Sequence, residues 1–252
     1  KQSCDTYFYE IARKLGVDRL KITATKFGLG KKVLNEIYSN EKKGLIPNTE
    51  WKKDNLGKGW VIGETLITGI GQGYMQTTPL QLCLMTAQLA NGGFKIYPKI
   101  IVNENDKTYE EIKILIEKNK QQTTGLAEVN DGLFSFKKEK KYKPLYENIE
   151  NIKLIQEAMF ASTNEVRGTS YSSRIEDPKY QFAGKTGTSQ VKRITEKQRE
   201  LDLKTIDIPY NDRDHALYVA FGPYKNPRYA LSVVIEHGGS GSSTAAPIAK
   251  KL

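Results

Sequence analysis

Apolar and polar positions follow three different rhythms along this chain. Over 5–15 (DTYFYEIARKL), Tyr7, Phe8, Ile11, Ala12 and Leu15 recur every three or four residues. That spacing predicts an amphipathic helix started by Asp5 or Thr6 and ended by Gly16. A second helix is predicted over 18–27, closing at Gly28, while 44–76, rich in Gly, Pro, Asn and Trp, reads as loop. The rhythm then changes. Thr78 is suited to cap a helix, Pro79 to take its first position, and Asn91-Gly92 to end it. Leu80, Leu82, Cys83, Leu84, Met85, Ala87, Leu89 and Ala90 leave this segment almost no polar face. It is therefore expected at the buried centre of the domain, with Cys83 as a small core residue.

The later part of the chain shifts toward strands. Residues 94–102 (FKIYPKIIV) are expected to form one, 103–150 are mixed and partly charged, and 151–166 return to the amphipathic helical pattern. Two apolar runs, HALYVAFG at 215–222 and RYALSVVIE at 228–236, are joined by Pro223-Tyr224-Lys225-Asn226-Pro227, which predicts an antiparallel hairpin. Between them and the helix, 191–214 are mostly charged and read as a long excursion. Helices come first, over about 1–170, and strands late, over about 178–252. This order points to an α+β domain with an antiparallel sheet flanked by helices, not to a doubly wound parallel one.

Charge narrows the partners only slightly. The 252 residues carry a formal net charge of +10, which draws anions of any kind. A basic nucleic-acid-binding module is disfavoured, because the 14 Tyr and 8 Phe mostly lie on apolar faces, not interleaved with basic residues as stacking platforms are. No run of 18 apolar residues occurs. His215 and His237 stand alone in sequence and read as surface or packing histidines, and the two cysteines, Cys4 and Cys83, imply no disulfide framework. The abrupt first residues and the helix-like last ones (245–252) suit a fragment of a longer protein, incomplete at the N-terminus and cut within a C-terminal helix.

Candidate chemistry concentrates in Phe182-Ala183-Gly184-Lys185-Thr186-Gly187-Thr188-Ser189-Gln190. A phosphate-binding loop needs a glycine five residues before the Gly-Lys pair and a helix after it, and both are missing. As an extended strand, the segment places Thr186 and Thr188 on one face and Lys185 and Gly187 on the other. Paired hydroxyls can hold a carboxylate, a lysine can sit beside a catalytic hydroxyl, and Gly187 permits close approach. The N–H of Thr188 on an edge strand can serve an oxyanion. Taken alone, the string fits a turn in a polar loop better than a catalytic strand.

It is not alone. SCDTYFY at 3–9, GIGQGYMQTTPLQL at 69–82, KTGTSQ at 185–190 and the 215–236 hairpin occur together and in order. In this combination the chain resembles the transpeptidase domain of class B penicillin-binding proteins, most closely the penicillin-binding protein 2 branch, over nearly its whole length. The resemblance implies a serine-penicillin-binding/β-lactamase-like fold and a peptidoglycan D,D-transpeptidase. Such an enzyme is an acyltransferase that cross-links stem peptides through an acyl-serine and is a target of β-lactams, with consequences for cell-wall synthesis, cell shape and antibiotic resistance. It implies catalytic roles for Ser3 and Asp5 of the Ser-x-Asp motif and for Lys185, with Thr186, Gly187 and Thr188 binding the substrate carboxylate and carbonyl. Implied partners are the stem peptides, β-lactams, a glycosyltransferase of the elongation machinery and its scaffold proteins, and no nucleic acid. The implied location is the periplasmic face of the inner membrane, anchored by an upstream helix.

One departure stands out. The family's nucleophile sits in a Ser-x-x-Lys motif upstream of Ser-x-Asp, and only two residues precede Ser3. Ser39–Lys42, Ser135–Lys138 and Ser189–Lys192 match the string by chance, so the nucleophile is expected to be absent from this chain, and the chain alone is expected not to acylate. No cofactor is expected. Some relatives place a zinc-binding cysteine beside the second-motif serine, but Cys4 is expected to be a packed thiol, its zinc partners lying upstream if they exist. With the first-motif helix absent, an exposed apolar groove is expected. Competing readings are a serine β-lactamase or β-lactam sensor domain, and a non-catalytic basic interaction module.

Overall fold

A computed structural model describes residues 1–34, 40–100, 107, 110–114, 117, 142–192 and 207–252. Helices α1 (Asp5–Leu15), α2 (Val17–Lys26), α3 (Thr49–Leu56), α4 (Ile62–Gly69), α5 (Pro79–Ala90) and α6 (Ile149–Asn164) precede the strands β1 (Ala183–Ser189), β2 (His215–Gly222) and β3 (Tyr229–Ile235). A final helix, α7, runs Ala246–Lys251. The strands form one antiparallel sheet in the order β1-β2-β3, so the fold class is α+β. β1 is an edge strand, paired with β2 from Ala183↔Phe221 to Ser189↔His215.

Two apolar layers sandwich this sheet. Ala216, Tyr218 and Ala220 of β2 point to one face, where they meet Phe182, Val233, Ala245 and the α7 residues Ala246 and Ala249. Ala183 and Phe221 point to the other, against Leu89 and Ala90 of α5 and Ile152 and Met159 of α6. The period-two alternation of HALYVAFG is thus resolved into two buried faces.

The helix expected at the centre is there, with the expected ends. Thr78 Oγ1 accepts the Gln81 N–H at 3.2 Å, Gln81 Oε1 accepts the Thr78 N–H at 3.1 Å, and Pro79 opens the helix. Its burial differs from the apolar count. Gln81, Thr86 and Gln88 are among its most deeply buried residues. Gln81 Nε2 donates to the carbonyls of Lys31 (2.6 Å) and Lys43 (2.9 Å), and Gln88 Nε2 to that of Phe27 (2.8 Å). These amides satisfy loop carbonyls that would otherwise be buried unpaired, which is why polar side chains hold core positions.

Four expectations fail. Residues 44–76 contain α3 and α4, not only loop, because Asn48 caps α3 by accepting the Trp51 N–H at 3.0 Å and a buried ion pair locks the two helices together. Residues 94–100 form no strand. Phe94 makes an isolated bridge to Pro144 and Lys95 N–H donates to the Lys143 carbonyl; residues 101 and 102 lie outside the described residues. α1 is capped by neither Asp5 nor Thr6, since Cys4 occupies the capping position and makes no side-chain cap bond. His215 and His237 are not alone: their rings meet edge to face at 4.8 Å, and the His237 N–H donates to His215 Nδ1 at 2.9 Å. Both remain packing residues. The 191–214 excursion is tied at its base, where Val191 N–H donates to Asp214 and Lys192 pairs with Asp212; 193–206 lie outside the described residues.

The ion pair between α3 and α4 is a test of this packing. Lys52 Nζ lies 2.6 and 2.7 Å from the two Glu64 oxygens, and Lys52 is 5% exposed. Burial works to raise the Glu64 carboxyl, but the Lys52 ammonium and the Val61 N–H outweigh it and hold the group below the usual carboxylate range. Glu64→Gln leaves a buried ammonium without its counter-charge, and about 3 kcal/mol of stability should be lost at pH 7. A carboxyl depressed by folding adds stability that is present above its unfolded pKa and lost as pH falls through its folded one. Thermal melting should therefore separate parent and variant at pH 7 and bring them together as pH falls below the carboxylate range. A gap that stays constant with pH would show that the pair is not what joins α3 to α4.

Candidate active site

The segment 1–5, the turn after α6, the glycine-rich loop before α5 and the β1 edge converge. After α6 the chain bends back at Gly168, where an added Cβ would meet the Ser162 carbonyl oxygen at 2.3 Å, so only glycine fits. This bend presents Thr169. Its N–H donates to the Lys1 carbonyl at 3.3 Å, its hydroxyl lies 3.1 Å from that of Ser162, and the Thr186 hydroxyl donates to it at 3.2 Å. Lys1 also pairs with Glu165 at the end of α6. Thr169 thereby joins the first residues of the chain to the lysine-bearing strand.

Lys185 lies half-buried in β1, and its ammonium donates to the Thr186 carbonyl at 2.7 Å. Burial pushes it below the usual lysine range, and the Asp5 carboxylate works in the opposite sense. Asp5, the first residue of α1, is thus within electrostatic reach of Lys185. Ser3, two residues earlier, has a left-handed backbone (φ 50°), and its Oγ is buried without a hydrogen-bond partner among the described residues. A strained backbone and an orphaned buried hydroxyl in one residue are costly features, of the kind found at functional sites. No hydrogen bond joins Ser3 to Lys185 among the described residues; the two segments are linked by the Asp5 charge acting on Lys185 and by Thr169, which bonds Lys1 and Thr186.

The far end of β1 faces outward. The Thr188 carbonyl accepts from Gln72 Nε2 at 2.7 Å, in the glycine-rich loop. In an antiparallel ladder a residue's N–H and C=O leave the strand on the same side. The Thr188 N–H therefore points to the free edge as well, not toward β2. A Cβ added at Gly187 would meet Leu217 Cβ at 3.4 Å, and Gly241 packs on the backbone of the ladder so closely that its own added Cβ would lie 2.5 Å from the Leu217 oxygen and 2.6 Å from the Gly187 oxygen. Thr186 and Thr188 share the face of Tyr218, with Thr186 half-buried and Thr188 exposed.

A family model described as Penicillin binding protein transpeptidase domain matches residues 1–252. The chain belongs to this family. Over 255 residues it is 35% identical to peptidoglycan D,D-transpeptidase MrdA of Salmonella typhimurium, covering all of this chain and 36% of that protein. It spans about a third of the length of the curated relatives it matches. The crystal structure of Pseudomonas aeruginosa PBP2 in complex with WCK 5153 is similar at 36% identity and TM-score 0.69, covering 98% of this chain and 45% of that one. The complex between PBP2 and MreC from Helicobacter pylori gives TM-score 0.73 at 27% identity, covering 99% and 37%. The expected fold of this transpeptidase domain family is thereby established.

Within this transpeptidase domain, the sequence pointed to Ser3, Asp5, Lys185, Thr186, Gly187 and Thr188, and missed Thr169 and Gln72. Thr169 carries no local signal, since its partners are 7, 17 and 168 residues away. Gln72 sits in the quoted glycine-rich stretch, yet only the folded chain brings its amide to β1. Cys4, expected to be packed, is exposed, because it precedes the first turn of α1 and makes no side-chain cap bond there. No group of three or more His, Cys, Asp or Glu able to hold a metal ion occurs among the described residues. Of the three Ser-x-x-Lys strings, Ser189–Lys192 continues β1, with Lys192 paired to Asp212; Ser39 and Ser135 lie outside the described residues.

The expected apolar exposure is present on α1. Tyr7 is 61% exposed and Ile11 43%, and only Ala12 of the predicted stripe is buried, against Gly69 of α4. Among the described residues no helix is long and apolar enough to cross a membrane.

Proposed function

We propose that this chain is the greater part of the acyl-transfer site of a peptidoglycan D,D-transpeptidase, completed by a nucleophilic serine from a Ser-x-x-Lys segment outside this sequence. One observation carries the proposal: a half-buried lysine with a lowered pKa on a sheet edge, next to the Ser3 segment with its unpartnered buried hydroxyl. Membership of the transpeptidase family supports it, as do relatives named for this activity.

In this scheme the serine oxygen attacks the carbonyl carbon of the penultimate D-Ala. Its proton passes to the neighbouring lysine and, by way of Ser3 Oγ, to the departing D-Ala amine. The Thr188 N–H, aimed off the sheet edge, stabilises the oxyanion. Lys185 adds positive potential beside the Ser3 segment, Asp5 supports the lysine's charge, and the Thr186 and Thr188 hydroxyls bind the substrate carboxylate. A stem-peptide amine then attacks the acyl-serine and forms the cross-link. A β-lactam follows the same first half and remains bound.

The scaffold and glycosyltransferase partnership, the periplasmic face of the inner membrane and the upstream anchor belong to the same proposal. A relative from Helicobacter pylori seen in complex with MreC supports the scaffold part. Zinc at Cys4 is not part of it.

Incubation with a fluorescent penicillin is the test. A full-length protein carrying the upstream serine should take a covalent label, lost on prior incubation with an unlabelled β-lactam, while the 252-residue chain should take none. Labelling of the isolated chain would place the nucleophile within it and overturn the scheme. Nitrocefin should be turned over slowly if at all; rapid turnover would favour the β-lactamase reading.

A further inference from the structure

Three hydroxyls form a line from the core to the β1 edge. Ser162 of α6 is fully buried, Thr169 is half-buried in the bend that follows, and Thr186 is half-buried in β1. Ser162 Oγ lies 3.1 Å from Thr169 Oγ1, and the Thr186 hydroxyl donates to Thr169 Oγ1 at 3.2 Å. At the outer end, the Lys185 ammonium reaches the Thr186 hydroxyl oxygen at 3.5 Å. At the inner end, Ser162 Oγ has no other hydrogen-bond partner among the described residues. The bend is fixed on α6 on both sides of Thr169. Only glycine fits at 168, and Ser170 donates its N–H (3.0 Å) and its hydroxyl (3.1 Å) to the Ser162 carbonyl.

Each hydroxyl carries one proton and can also accept. A line of three hydroxyls joined by two hydrogen bonds leaves one proton without an acceptor, whichever way each points. The buried Ser162 end offers no acceptor among the described residues, so an acceptor can only arrive at Thr186. An anion there draws the Thr186 proton outward. Thr169 then donates to Thr186, Ser162 donates to Thr169, and all three protons are placed. The Thr186 oxygen accepts from Thr169 and Lys185, so a group that brings a donor finds it already occupied. We propose that Thr169 is a positioning residue for recognition of the substrate carboxylate: with Ser162 behind it, it turns the Thr186 proton toward a group that only accepts. This rests on the transpeptidase reading, in which Thr186 binds that carboxylate.

The test compares benzylpenicillin with its methyl ester on the full-length protein. Second-order acylation rate constants are resolved into affinity before acylation and the rate of acylation itself. The ester keeps the reacting ring and replaces the carboxylate by a neutral, weaker acceptor. Thr169→Val keeps the side-chain shape and removes the hydroxyl. Benzylpenicillin should lose about tenfold, in affinity and not in the acylation rate, as for a hydrogen bond that serves a charged group. The ester should lose about threefold or less, because hydrogen bonds to neutral acceptors are about half as strong. The preference for the carboxylate therefore falls about threefold or more. It is a ratio within one variant, so an unfolded fraction cancels. Thr169→Ser should restore the parent's preference. Ser162→Ala with Thr169→Val leaves no buried hydroxyl orphaned, should show the same lowered preference, and decides the matter if the single variant does not fold. Equal losses for the two compounds, or a loss confined to the acylation rate, overturn the proposal and leave the transpeptidase reading standing. A parent that takes no label from benzylpenicillin overturns both.

Discussion

Lys185→Met should slow covalent labelling of the full-length protein by a fluorescent penicillin about 10²–10³-fold, the loss typical when one preorganised electrostatic group is removed from an acyl-transfer site. The substitution keeps the aliphatic stem and removes only the ammonium, so the fold should survive. Measured as second-order acylation rate constants beside thermal melts, a large kinetic loss with no fall in melting temperature, and a small rise at neutral pH, is the expected pair of results. Burial already depresses this lysine, and Asp5 opposes the depression. If its charge is what the reaction uses, the parent's rate should fall on the alkaline side at a pH below the usual lysine range. Asp5→Asn, by removing the opposing charge, should move that alkaline limb to lower pH. Stability follows the same linkage with its own sign: a lysine depressed by folding disfavours the folded state below its folded pKa, and the penalty disappears as pH rises through the window up to the unfolded value. Parent and Lys185→Met should thus converge in stability at high pH. An unmoved alkaline limb in Asp5→Asn would separate Asp5 from Lys185, and unchanged labelling in Lys185→Met would remove the lysine from the mechanism altogether.

The second large effect is expected at a residue with no chemistry of its own. Gly241 lies over the β1–β2 ladder so closely that an alanine Cβ would sit 2.5 Å from the Leu217 oxygen, 2.6 Å from the Gly187 oxygen and 3.1 Å from the Gly187 nitrogen. These are backbone atoms of the sheet, so no rotamer change relieves the contact; the 241–245 turn or β1 itself must shift. Gly241→Ala should destabilise by about 3 kcal/mol, at the upper end for overpacking. For a domain of this size that is a melting-temperature loss of about 6–12 °C. Because the clash falls on Gly187, between Thr186 and Thr188, labelling by penicillin should decline even at temperatures where the protein stays folded. Gly63→Ala is the matched control. It sits in the first turn of α4 with nothing within 4 Å of the added Cβ and no left-handed φ, and should stabilise slightly, by about 0.5–1 kcal/mol. Similar melts for the two variants would mean that the close approach over β1 does not exist.

Sequence reading succeeded where a signal is local. The capped helix at 79–90 and the 215–235 hairpin each carry their own periodicity and end residues, so short-range physics was enough, whereas the KTGT strand was legible only beside the other motifs. It failed at 44–76, where the abundance of Gly masked two short helices. Each has a boundary decided by a partner outside the helix or at its edge: the Asn48 cap for α3 and the Lys52–Glu64 pair for both. It also failed to find the polar core of α5. Counting apolar residues misses Gln81 and Gln88, whose burial is made tolerable by the carbonyls of Lys31, Lys43 and Phe27, tens of residues away.

The residue types and order of the candidate site, Ser-x-Asp before Lys-Thr-Gly-Thr, are written in the chain itself. So are the edge-compatible alternation of 183–189 and the family to which the domain belongs. Only the tertiary structure decided which groups meet: that Thr169 bridges Lys1 to Thr186, that Gln72 takes the Thr188 carbonyl and thereby reports the outward N–H, and that Ser3 Oγ is buried without a partner among the described residues. Those contacts join residues separated by 17 to 168 positions. Nothing in a local pattern encodes which distant hydroxyl or amide will face a given one, because that is set by how the two apolar layers close on the sheet.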